Sequence, residues 1–326
     1  MRPFLALLSS IALLCAHAAS HAADLPQPVP APLADHHQHL FSPAISALVA
    51  PGPKPLLAAE VVALLDAAGI GRAAVLSVAY MYGSPKRTID DEYAKVKAEN
   101  DWHAAQAALY PKRLLAICGV NPLKDYAIAE VERCAADRQF GRMLKLHFGN
   151  SDVQVNDPVH LAKLQAFFRA ANKNGMGLLI HMRASISLKR PYGAPEAQIF
   201  LEQLMPLVPD VPVQVAHMAG AGPGYEDPPS DAVMAYLADA AGRGDPRTRN
   251  LWFDVASMAD RDISPASAAK LVERLRRAGL HHVLYGTDAA TGDNLRPQEA
   301  WAAFCKLPLT RAELAAIAGN VAPYLK

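Results

Sequence analysis

Eight short apolar runs, regularly separated by stretches of helical periodicity, narrow the folds open to this chain more than any other feature. The runs fall at residues 35–40, 73–78, 114–120, 143–148, 178–182, 213–217, 251–256 and 282–286. Helical patterns occupy 58–68, 90–109, 125–137, 158–174, 195–207, 231–241 and 265–278, and a closing helix is expected at 311–318. Strict alternation of this kind predicts a parallel sheet, because parallel neighbours need a long crossover that is usually a helix. Several runs are almost continuously apolar, as expected where helices cover one face of a strand and a barrel core fills the other. Eight such units within 34–326 predict an α/β fold, a single-domain (β/α)8 TIM barrel, rather than an open doubly wound sheet.

The N-terminus reads differently. Arg2 precedes an apolar run at 4–16, and small residues follow at Ala18, Ala19, Ser20, Ala22 and Ala23. This is the pattern of a secretory signal peptide over 1–22, cleaved after Ala22. The run is shorter than the roughly 20 residues a bilayer requires. Pro26, Pro28, Pro30 and Pro32 then make a stiff leader over 23–33. The expectation is an exported, periplasmic protein without membrane insertion. Thirty-two basic against 31 acidic residues leave a formal charge of +1, which gives no footprint for nucleic acid. Past the cleavage point Cys118, Cys134 and Cys305 remain. Three cysteines make no disulfide framework, and Cys118 in its apolar run reads as a small buried hydrophobe.

Barrels of this type keep their active sites at the C-terminal ends of the strands. The first run carries Asp35-His36-His37-Gln38-His39, the fourth Lys145 and His147, the fifth His181, the sixth His217, and the eighth leads into Asp288. Runs two, three and seven end near Tyr80, Asn121 and Ser257. Residues i and i+2 of a strand share a face, so His37 and His39 are expected to project together, as are Lys145 with His147 and His181 with Arg183. His36 should turn away from the barrel interior in a structural role. Imidazoles with one carboxylate suit zinc or a similar divalent ion. Singly, each histidine reads as a satisfied core or loop residue, and Asp288 as a helix cap; their convergence on four strand ends is what carries the metal reading. Arg183 suits a substrate carboxylate, or else an ion pair with a neighbouring loop. Gly220-Ala221-Gly222-Pro223-Gly224 lacks the lysine of a phosphate-binding loop and reads as a mobile rim of the pocket, with Tyr80 and Tyr82 beside it.

Asp35-x-His37-x-His39, the strand-end His181 and His217, and Tyr285-Gly286-Thr287-Asp288 resemble the amidohydrolase superfamily, in the branch that includes aromatic-acid decarboxylases and pyrone-dicarboxylate lactonases. The resemblance spans the mature chain; it specifies the superfamily well and the substrate poorly. It implies that His37, His39, His181 and Asp288 hold one zinc ion. His217 would orient or deprotonate the water, and Asp288 would shuttle a proton. Binuclear members place a carboxylated lysine at the end of strand four, so Lys145 is either a pocket residue or a bridge between two metals. His147 is expected to face substrate. The activity implied is metal-dependent hydrolysis of a C–O or C–N bond, a lactone, ester or amide of a small carboxylated molecule, through a metal-activated water. Nonoxidative decarboxylation of an aromatic or muconate-type acid is the alternative, and a noncatalytic periplasmic binding barrel is the third reading. A homodimer is suggested by the resemblance alone.

Overall fold

The computed structural model describes residues 29–259, 261–289 and 294–326. The expected signal peptide and the leader as far as residue 28 lie outside them. Eight strands form one sheet in chain order: β1 (Ala34–His39), β2 (Arg72–Leu76), β3 (Leu114–Gly119), β4 (Phe140–His147), β5 (Gly177–His181), β6 (Val213–Val215), β7 (Leu251–Asp254) and β8 (Val283–Leu284). Every neighbouring pair from β1–β2 to β7–β8 is parallel. The ring closes where the chain leaves β8. There His36 donates its N–H to the Tyr285 carbonyl at 2.9 Å, and Asp288 donates to the His37 carbonyl at 2.7 Å. Asp35 ties the same seam by accepting from the N–H and the hydroxyl of Thr287, at 3.1 and 2.6 Å. A Cβ on Gly286 would lie 2.8 Å from the His37 Cβ, so this approach requires glycine. The chain is therefore a single-domain (β/α)8 barrel.

Helices Ala58–Ala68 and Pro265–Ala278 match the periodicity residue for residue. The first stops at Gly69, whose φ of 69° is left-handed, and the second starts where the Ser264 hydroxyl accepts the N–H of Ser267. The helix expected over 195–207 instead runs as Ala194–Ile199, widens to a π turn at Phe200–Leu204 and tightens at Met205–Leu207. Pro206 removes a backbone donor there, and the regular ladder cannot continue. Two short helices inside βα loops, Pro43–Leu48 and Pro297–Phe304, were not expected from the pattern. Among the described residues no helix is long and apolar enough to cross a membrane.

Side chains on the outer face of the sheet, among them Val75, Leu144, Ile180, Val215 and Phe253, are fully buried beneath the helices. Each contributes about 1.5–3 kcal/mol through burial. The inner face packs Ala74, Leu76, Ile117, Met143, Leu179 and Ala216 into a small plug, with Tyr324 against it. Tyr324 comes from the terminal turn Pro323–Leu325 and donates its hydroxyl to the Gln214 side chain, while Arg72 at the start of β2 bonds the Leu325 carbonyl. The C-terminus thus seals the N-terminal end of the barrel.

The cysteine reading needs correction. Cys118 on β3 is bonded to Cys134, 16 residues later on the helix Ala127–Ala136, with their Cα atoms 6.4 Å apart. The helix packs back over the strand it follows, which brings two buried thiols together that spacing alone did not pair. Cys305 is free.

Candidate active site

The sequence of β1 alone does not explain how neighbouring histidines part company. Its register against β2 pairs Asp35 with Ala73 and Gln38 with Val75, so His36 and His37 both stand opposite Ala74 in a bulge. His36 turns to the floor. Its Nδ1 meets the Tyr285 carbonyl at 2.8 Å, its Nε2 accepts the Ala322 N–H at 3.1 Å, and its ring meets Tyr324 edge-on. His37 and His39 face the C-terminal mouth together, their ring centres 5.4 Å apart.

At that mouth the side-chain nitrogens of His37 and His39 and a carboxylate oxygen of Asp288 lie within 4.8 Å of one another. His39 Nε2 is 3.4 Å from Asp288 Oδ1, and His217 Nε2 is 3.9 Å from Asp288 Oδ2. The His217 ring lies 4.6 Å from that of His37 and 5.1 Å from that of His181. His181 stacks on His147 at 3.9 Å and stands outside the compact His37–His39–Asp288 set. Tyr80 flanks His147 at 5.2 Å, buried as a rim residue would not be. Lys145 is buried in the same cluster, with Nζ 3.2 Å from His37 Nε2.

The tautomers follow from what the other nitrogens meet. Nδ1 of His37 faces the Asp254 carboxylate at 3.0 Å, Nδ1 of His39 the Leu76 carbonyl at 2.7 Å, and Nδ1 of His217 the Ala256 carbonyl at 2.8 Å. Each partner only accepts, so each Nδ1 carries the proton and each Nε2 turns its lone pair into the site, that of His37 toward Lys145 Nζ. Burial then keeps His39 and His217 neutral, pushing their pKa values down to about 3 and about 4; neighbouring His37 adds to this at His217, while the Asp288 charge opposes it at both. Burial also lowers Lys145 to about 8, against the pull of Asp288 and Asp254.

Asp254 is the residue that sequence reasoning missed. It ends β7 and accepts four hydrogen bonds: from His37 Nδ1 at 3.0 Å, Gln214 Nε2 at 2.7 Å, and the backbone N–H groups of His217 at 2.9 Å and Ala256 at 3.1 Å. Burial opposes its charge, but His37 and these donors outweigh that and hold the carboxyl well below its usual range. A lone carboxylate closing the apolar run Leu251-Trp252-Phe253-Asp254 was the available signal. Its bonds to His217 and Ala256 also end β6 and β7 earlier than their apolar runs suggest. Beyond β6, His217, Met218 and Ala219 take positive φ values of 54°, 47° and 65°, and Asp288 takes 52°. Such conformations cost about 1–3 kcal/mol each and persist where the surroundings enforce them.

Arg183 follows β5 to the same end, but its guanidinium is held by Asp227, Nε to Oδ2 at 2.6 Å, and lies 4.8 Å over the Tyr192 ring. The ion-pair reading is the one realised in this structure. Gly222 packs its α-carbon against Ser257, where a Cβ would come within 2.8 Å, so the glycine loop lies on the site. Tyr82 stands away from the histidines, lining a separate cavity with Glu99 and Trp102.

A closed parallel barrel that gathers histidines and a carboxylate at its strand ends belongs to the TIM-barrel enzymes. Within that class the family follows from the sequence profile: that of the amidohydrolase family matches residues 34–322, and the chain belongs to this family. Three solved structures share the fold. A 5-carboxyvanillate decarboxylase from Sphingomonas paucimobilis is 16% identical, with a TM-score of 0.61 over 89% of this chain and 97% of that one. A probable 2-pyrone-4,6-dicarboxylic acid hydrolase from Acinetobacter baumannii, with citric acid bound, is 18% identical, with a TM-score of 0.55 over 88% and 96%. The 5-carboxyvanillate decarboxylase of Novosphingobium aromaticivorans, complexed with manganese and 4-hydroxy-3-methoxy-5-nitrobenzoic acid, is 17% identical, with a TM-score of 0.51 over 79% and 77%. A search of curated proteins finds no match. The protein is an enzyme of the amidohydrolase family.

Proposed function

We propose that this enzyme hydrolyses a C–O or C–N bond of a small acyl compound, a lactone, ester or amide, with one divalent ion, zinc, at His37, His39, His181 and Asp288. The donor chemistry fits: His37, His39 and Asp288 bring imidazole nitrogens and a carboxylate oxygen within 4.8 Å of one another, the His181 ring stands 5.1 Å from the His217 ring beside them, and Asp254 and the Leu76 carbonyl fix the lone pairs of His37 and His39 toward the mouth. Such an ion would supply Lewis-acid chemistry, polarising the scissile carbonyl and lowering the pKa of the attacking water to about 7.

The observation that carries the hydrolytic reading is His217. Its Nε2 lone pair is bare, fixed by the Ala256 carbonyl behind it, and faces Asp288 Oδ2 at 3.9 Å. His217 accepts the water proton at Nε2 and hands that proton by way of Asp288 Oδ2 to the departing oxygen or nitrogen, so both residues end the step as they began it. Lys145 screens the carboxylates from within the pocket. A two-metal variant, with Lys145 carboxylated as a bridge, is separated by elemental analysis: one zinc per chain supports the single-ion reading, two supports the bridge, and none after incubation with zinc or manganese overturns both.

Decarboxylation is the second reading, favoured by the decarboxylases among the structures that share the fold. A panel of lactones, esters, amides and aromatic acids separates the two. Acid release without carbon dioxide supports hydrolysis; carbon dioxide release overturns it. Export to the periplasm is proposed from the N-terminal pattern and supported by the Cys118–Cys134 bond, which suits an oxidising compartment. Sequencing of the secreted protein should start at Ala23; an intact Met1 overturns export.

A further inference from the structure

The histidines gathered at the mouth look alike in sequence, yet His147 is wired in reverse to His37, His39 and His217. Asn150 donates its backbone N–H to His147 Nδ1 at 3.1 Å. A backbone amide can only donate, so Nδ1 of His147 must present a lone pair, and the neutral ring carries its proton on Nε2. His37, His39 and His217 have the opposite arrangement, with Nδ1 protonated and the Nε2 lone pair turned into the site. The cause is local. His147 ends β4 and accepts at the head of the one-turn helix Phe148–Ser151, whose third residue supplies the amide. The ring is gripped on its faces by His181, stacked at 3.9 Å and 19°, and by Tyr80 at 5.2 Å. Its Nε2–H meets no protein partner among the described residues, and the residue is partly accessible at the mouth.

Three roles are closed to such a ring. It cannot hold a metal through Nε2, because that nitrogen bears the proton. It cannot act as a general base there for the same reason. It cannot become an imidazolium without breaking the Asn150 bond. What remains is hydrogen-bond donation by a fixed, neutral N–H. We propose that His147 donates from Nε2 to the acyl oxygen of the substrate, the atom on which charge builds as water attacks. The assignment rests on the hydrolytic reading above and adds the residue that receives the oxyanion, with no proton transferred. Donors aimed at developing charge in a water-poor site are among the strongest contributors to catalysis.

Two measurements test this. The first needs no turnover: ring 15N–1H correlations of 15N-histidine-labelled, metal-free protein, with His147 assigned by its loss in His147→Gln. An Nε2–H tautomer for His147, against Nδ1–H at His37, His39 and His217, supports the proposal, and an Nδ1–H tautomer of His147 overturns it. The second uses the zinc-loaded enzyme. His147→Phe keeps a stacking ring without a donor and should lower kcat about 100-fold with zinc content unchanged. His147→Gln returns an amide donor and should recover about tenfold of that loss. Loss of zinc in His147→Phe, or a change confined to KM, overturns the proposal. Because the tautomer is read without substrate, a failure of the hydrolytic reading on the substrate panel is distinguishable from a failure of the assignment.

Discussion

His36 and His37 are adjacent in the chain and serve opposite ends of the barrel. At the floor, both nitrogens of His36 are used by backbone groups, Tyr285 O and Ala322 N, and the ring does nothing but bind the C-terminal segment to β1. At the mouth, His39 and His217 are half satisfied, one nitrogen fixed from behind and the other left for a ligand, while His37 is fixed by Asp254 and turns its Nε2 to Lys145. Residue type and burial are the same at both ends, so neither marks a site. What distinguishes the functional end is directed incompleteness, held in place by Asp254 and by strained backbone at His217 and Asp288.

The sharpest way to break this contrast is at Asp288. Asp288→Asn should lower kcat by about 10³–10⁴-fold and reduce zinc content, with little change in Tm. Near-normal turnover would remove Asp288 from the site. Structural histidines should instead dominate acid stability. His103, on the helix Glu92–Ala108, bonds the Val75 carbonyl through Nε2 at 2.8 Å, and burial lowers its pKa from 6.5 to about 4. A depressed histidine contributes stability that is present above pH 6.5 and lost as pH falls through about 4, because only the unfolded chain takes up the proton. The loss amounts to about 3 kcal/mol over that window. His103→Leu should flatten the decline in urea midpoint between pH 7 and 4; an unchanged profile would refute it.

Smaller effects sharpen the comparison further. Asp254→Asn weakens the grip on His37 and should cost about 10–100-fold in zinc affinity or kcat. An equal zinc titration curve would show that the β7 carboxylate serves the fold alone. His36→Leu leaves the Ala322 N–H unpaired and removes the side-chain bond to the Tyr285 carbonyl, which keeps its backbone bond, and should cost about 2 kcal/mol in chemical denaturation, with zinc content retained. Loss of zinc in that variant would mean that floor and mouth are coupled through β1. Tyr324→Phe keeps the ring under the barrel plug and removes the bond to Gln214, for about 1 kcal/mol; kcat should not move.

The barrel was legible because burial imposes a period. Strands covered on both faces must be nearly continuous apolar runs, and the amphipathic helices between them repeat at 3.6 residues, so Ala58–Ala68 and Pro265–Ala278 could be bounded without coordinates. The ligand-type residues were legible for a related reason, since the mouth of such a barrel is where its strands end. By itself, then, the sequence determined the eight strands and their order, the face to which His37, His39, His217 and Asp288 belong, and the family. Tertiary structure decided what those residues can do. The bulge that divides His36 from His37 arises from pairing with Ala74; the ring tautomers depend on acceptors 37 and 39 residues away, at Leu76 and Ala256, and on Asn150 beside His147. Asp254 reaches His37 across 217 residues, Asp227 claims Arg183 from the next loop, and Cys134 meets Cys118 only when its helix folds back. These are matters of which hydrogen-bonding group meets which, and hydrogen bonds of about 3 Å are set by folded geometry that no local pattern encodes.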